Sequence, residues 1–188
     1  MKSKLSFFVL FLLLIAGTKS YAAMTLADLL TQLSPSSNAP AILAKVDQFS
    51  PQTKTIPFPA NDPSLQSLSG DYYLSEKNLN FLQTYKATMA KLPAALHQEN
   101  SWLDQFRDTV ASPNQYFSTP LGKFVKLASC RPHMCGTNLS LLYDPASKNI
   151  WGILHITQGK AYLLGSPSDD QLALLLISVK DNLTDYEF

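Results

Sequence analysis

The sequence predicts an α+β fold, an antiparallel sheet of about five strands flanked by helices. Three observations predict it. After Pro113 the chain breaks into short runs of β-forming residues, Gln115 to Thr119, Lys123 to Ser129, Asn138 to Tyr143, Ile150 to Thr157 and Lys160 to Leu164. Tight turn chemistry separates them: Asp144 to Asn149 and Gln158-Gly159 imply hairpins, and hence antiparallel neighbours. Before and after this region, leucines recur at helical spacing, which supplies the layers that cover a sheet.

Taken in order, the chain opens with Lys2 and Lys4 ahead of an unbroken apolar run from Phe7 to Ala16, then Ser20-Tyr21-Ala22. This is the pattern of a secretory signal peptide over residues 1–22, with the mature chain expected from Ala23. The run is too short to span a bilayer, and nothing later is longer. Leu26, Leu29, Leu30 and Leu33 predict a first helix, with Thr25 and Asp28 in the form of a capping box. A second is expected from Pro40 to Phe49, with Ile42, Leu43, Val46 and Phe49 on one stripe. Between Ser50 and Gly70, Pro51, Pro57, Pro59 and Pro63 stand among polar residues, which reads as an extended linker or a strap over the main domain.

The chain therefore divides into a helical and Pro-rich extension over residues 23–70 and a main domain over residues 71–188. In the latter, Ser75 is placed to cap a helix reaching about Leu92, with Leu79, Leu82, Tyr85, Met89 and Leu92 as its apolar stripe. A shorter helix is expected around Ser101 to Phe106. The last, opened by Ser166-Pro167 with Asp169 and Asp170 in its first turn, contains Leu172, Leu174, Leu175, Leu176 and Val179. Leu172 to Val179 also fits a buried strand.

Of 15 basic residues, Lys2, Lys4 and Lys19 precede the expected cut, so the mature chain would carry 12 against 14 acidic ones, about −2. That balance excludes a strongly basic role on nucleic acid or a membrane surface and slightly favours a cationic partner.

The residues with the most chemistry lie together in Cys130-Arg131-Pro132-His133-Met134-Cys135-Gly136, between two expected strands. An exported chain meets an oxidising compartment, where its only two cysteines, Cys130 and Cys135, are expected to be joined. The resulting six-residue ring, with Pro132 inside, has few conformations. By chain entropy it stabilises by roughly 2 kcal/mol, which shapes a loop rather than supporting a domain. At the turn of a hairpin it must protrude, with Pro132 and His133 at its tip.

Other readings of this stretch are a structural staple with an incidental histidine, a three-ligand metal site from Cys130, His133 and Cys135, and a redox pair. The last two are disfavoured by the oxidising compartment and by four residues between the cysteines instead of two. His97 reads as a surface residue and His155, alternating with apolar neighbours, as packed within a strand. No Gly-x-Ser-x-Gly and no paired carboxylate spacing occurs, so no enzyme and no cofactor or metal is expected.

Cys130-Arg131-Pro132-His133-Met134-Cys135 resembles the Cys-Lys-Pro-His-Asp-Cys loop of the Ivy family, the bacterial inhibitors of vertebrate lysozyme. The similarity extends more weakly from about Lys77 to Lys180, including Trp151-Gly152-Ile153. The resemblance implies an α/β sandwich around an antiparallel sheet, a periplasmic or secreted location and a possible homodimer. It further implies a loop that enters the cleft of a c-type lysozyme, with His133 between the two catalytic carboxylates and Arg131 keeping the charge of the family lysine. Met134 stands where the family has aspartate, and residues 23–70 have no recognised counterpart. The expected function is an exported inhibitor of c-type lysozyme. The alternative is a non-inhibitory binding module on the same scaffold.

Overall fold

Successive side chains of a strand point to opposite faces, and the central strands carry apolar residues at consecutive positions, so the sheet has two apolar faces and each recruits its own helical layer. The computed structural model describes residues 24–33, 38–106, 109–156 and 160–180. The leader expected over residues 1–22, its cut before Ala23 and the Gln158-Gly159 turn lie outside the described residues.

Strands β3 (Gln115–Thr119), β4 (Gly122–Arg131), β5 (Met134–Asp144), β6 (Asn149–Ile156) and β7 (Lys160–Leu164) pair antiparallel in sequence order. Two further strands bring the sheet to seven: β1 (Lys54–Ile56) pairs with the outer edge of β3, and β2 (Val110–Ala111) pairs with the end of β4 that runs beyond β3. At three and two residues they are too short for alternation to show in sequence. Part of the Pro-rich stretch read as a linker or strap is therefore an edge strand, where flanking prolines are tolerated.

Phe124, Leu142, Trp151 and Ile153 point to one face, against α1 (Leu26–Leu33), α2 (Ala39–Phe49) and α6 (Asp169–Val179). Every residue of α6 from Leu172 to Val179 is buried, since the helix has the sheet on one side and α2 on the other. That two-sided burial explains the apolar run Leu172–Ile177, which in sequence also fitted a strand. A reciprocal capping box decides for the helix: Ser168 Oγ accepts from Gln171 N at 3.3 Å, and Gln171 Oε1 accepts from Ser168 N at 2.8 Å. Lys45 pairs with Asp170, and Asn38 donates to Asp169, tying α2 to the first turn of α6. Thr25 and Asp28 form the expected cap of α1, with Thr25 N donating to Asp28 Oδ2 at 3.0 Å and Asp28 N to Thr25 Oγ1 at 3.1 Å.

Val125, Leu127, Leu139, Leu141, Ile150 and Leu154 form the other face. Over it lie α3 (Pro63–Gln66), a 3-10 helix at Tyr72–Lys77, α4 (Leu79–Met89), α5 (Ala94–Glu99) and a second 3-10 helix at Ser101–Asp104. Here the structure corrects two expectations. Asn78, not Ser75, caps the helix, its Oδ1 accepting from Phe81 N at 2.9 Å. Ser75 is instead fully buried and accepts from Asn114 Nδ2 at 2.8 Å. Leu79 is 71% exposed, and the inward residues of α4 are Phe81, Tyr85, Thr88 and Met89. The larger aromatic surface of Phe81 sets the rotation of the helix: its ring meets Tyr85, Phe106 and Tyr143 at 5.5–6.1 Å.

Candidate partner-binding site

β4 and β5 are the longest strands, and their hairpin carries the loop singled out by the sequence. Arg131 pairs with Met134, so only Pro132 and His133 form the turn. Pro132 is held near its fixed φ of about −65°, and His133 follows at φ 61°, in the left-handed region. A positive φ at the second central residue after proline is the order of a type II turn. His133, Met134 and Cys135 are exposed, while Arg131, Pro132 and Gly136 are half-buried and Cys130 is buried. The tip thus projects an imidazole into solvent from a backbone with little freedom.

Behind the tip, Cys130 and Cys135 are joined, with their Cα atoms 4.8 Å apart. The ladder is interrupted at the same level. Cys130 pairs with Asn138 and Arg131 with Met134, so the register shifts there and Cys135, Gly136 and Thr137 make up a bulged run of β5. Among the contacts at this bulge, Asn138 Nδ2 donates to the Cys135 carbonyl at 3.3 Å, and Nδ1 of His155 lies 2.8 Å from the Gly136 carbonyl. His155 has no exposed surface, and burial holds its pKa below the usual histidine value. Sequence reading correctly placed it inside a strand but gave no sign of its partner, because the contact joins residues 19 positions apart.

Next to the bridge, the sheet has a depression of about 380 Å³. Val110, Cys130, Ala128, Asn138 and Ser140 line it, mostly small side chains on the face that α6 covers further along. Val110 lies opposite Cys130 and is 54% exposed; Met134 at the tip is 43% exposed. One exposed apolar residue thus lies beside Cys130 and another beside His133 in sequence. His97, read as a surface residue, is partly covered instead and turns Nε2 toward the Met89 carbonyl at 2.8 Å.

Among the described residues no three His, Cys, Asp or Glu side chains converge as a metal site would require, and no helix is long and apolar enough to cross a membrane. No family model, no curated protein and no solved structure matches this chain.

Proposed function

We propose that this chain is an exported inhibitor of c-type lysozyme that inserts its disulfide-closed finger, Cys130 to Cys135, into the target's active-site cleft. The observation that carries the reading is His133, exposed at the apex of a two-residue turn directly in front of a disulfide. The resemblance of the six-residue stretch to the Ivy loop supplies the target. A lysozyme cleft presents two carboxylates about one glycosidic bond, one of them kept protonated. An imidazole between them shares protons with both, and each charge-assisted bond contributes roughly 1.5–3 kcal/mol. The bridge and Pro132 restrict the finger before binding, which lowers the entropy lost on docking. Arg131, next to the tip, would supply a cation for an acid on the cleft rim.

Met134 favours a second reading, a binding module that docks without inhibiting. An exposed thioether in place of the family carboxylate exchanges a polar contact for an apolar one. One assay separates the two: residues 23–188, added in increasing amounts to a c-type lysozyme clearing a cell-wall suspension. Stoichiometric loss of clearing supports inhibition. Undiminished clearing with retained binding to the immobilised lysozyme supports the module, and absence of both rejects the target.

A further inference from the structure

A bulge takes backbone groups out of the ladder, and buried backbone groups must then be satisfied from elsewhere. At the root of the finger the register between β4 and β5 shifts after Cys130, and Cys135 to Thr137 form the bulged run of β5. The Gly136 carbonyl, at their centre, meets Nδ1 of the fully buried His155 at 2.8 Å. A carbonyl can only accept, so this contact places a proton on Nδ1. His155 stands on β6 opposite Asn138 on β5 and Ala161 on β7, in the interior of the sheet rather than at its edge. An apolar side chain would fill that position without the cost of burying a polar ring. What a histidine adds is a donor aimed back along β5 at the bulge.

We propose that His155 is the positioning residue of the finger: its Nδ1–H anchors the Gly136 carbonyl and so fixes the direction in which Cys135, Met134 and His133 leave the sheet. The Asn138 amide, bonded to the neighbouring Cys135 carbonyl from within β5, adds a local hold on the same bulge. The role in inhibition rests on the function proposed above; the mount itself does not. A finger that must enter a cleft needs its root held, because a small rotation at the bulge displaces the tip by a larger distance.

Three substitutions separate the donor from the packing. His155→Asn keeps an N–H close to the place of Nδ1, His155→Gln carries its amide nearer the place of Nε2, and His155→Leu removes the donor. Each protein is assayed below its own unfolding temperature for lysozyme inhibition and for the rate at which dithiothreitol reduces the Cys130–Cys135 bridge. The Asn variant is expected within about twofold of wild type in both. The Gln and Leu variants are expected to inhibit about three- to tenfold less well and to be reduced about three- to tenfold faster, the factor that one hydrogen bond supplies. Equal behaviour of Asn and Gln, or one reduction rate for all four proteins, overturns the assignment. If wild type fails to inhibit, the proposed target falls, and the reduction rates still decide the role of His155.

Discussion

Arg131 and Met134 face each other across β4 and β5 with only Pro132 and His133 between them. Two-residue hairpins favour turns whose twist matches the strands, and a proline-led turn does not. The chain absorbs the mismatch in the bulge over Cys135 to Thr137, just behind the tip. His133 at φ 61° occupies a region where a β-carbon costs roughly 1–2 kcal/mol and where glycine or asparagine would be the ordinary choice. Histidine is, with asparagine and aspartate, among the non-glycine residues that enter this region most readily, so His133 holds the turn and presents its ring at the same position.

The first prediction separates ring from backbone. His133→Asn tolerates the left-handed conformation and removes the imidazole, whereas His133→Ala removes the imidazole and retains the backbone strain. Both variants are expected to lose lysozyme inhibition by roughly a hundredfold, up to about 3 kcal/mol, with unfolding midpoints close to wild type. Inhibition titrations showing wild-type potency in the Asn variant would remove His133 from the interface.

The second concerns the bridge. Its ring encloses six residues at the solvent end of one hairpin, and both cores lie elsewhere in the sheet. Replacing Cys130 and Cys135 with serine is expected to cost roughly 2 kcal/mol and to leave the far-ultraviolet circular dichroism largely unchanged. Inhibition should fall in the same protein, since the finger then loses conformational freedom on docking. Collapse of the whole spectrum would place the bridge among the supports of the fold.

What was legible in the sequence was whatever repeats locally. Gln115–Thr119 and Lys160–Leu164 match the expected runs to the residue, because proline and turn residues bracket both. The exposed tip followed from Pro132 within a short ring. What was not legible depends on partners far away in the chain. β1 is a strand only because β3 offers an edge. Ser75 is of a type that caps helices, yet Asn114, 39 residues on, takes it for a buried hydrogen bond. Leu79 fits a helical stripe as well as Phe81 does, and only the aromatic cluster decides between them. The mount beneath the finger is of the same kind, since nothing near Gly136 announces His155.

Gly152 yields a third prediction. It lies on β6 opposite Leu141, and a β-carbon there would fall 2.5 Å from Leu141 Cδ2 and 2.8 Å from the Ser140 carbonyl oxygen. The side chain could rotate away, but the carbonyl belongs to the ladder. Gly152→Ala is therefore expected to destabilise by about 1–3 kcal/mol, as overpacking does, read as a lower urea midpoint with an unchanged slope. An unchanged midpoint would mean that β5 and β6 separate here at no cost.

The last prediction follows from the burial of His155, which disfavours the imidazolium and holds the folded-state pKa below the usual value; the bond to the Gly136 carbonyl acts the other way and is the weaker influence. For a base with a depressed pKa, the unfolded chain binds protons that the folded chain refuses. Stability at neutral pH is therefore expected to be lost as pH falls below about 6.5, the ordinary histidine value, until the folded-state pKa is reached. Asn cannot titrate, so His155→Asn should remove this component of the slope while the other ionising groups keep theirs. Urea unfolding of both proteins between pH 7 and pH 5 measures the difference directly, and parallel curves would show that His155 takes up its proton as readily in the sheet as in water.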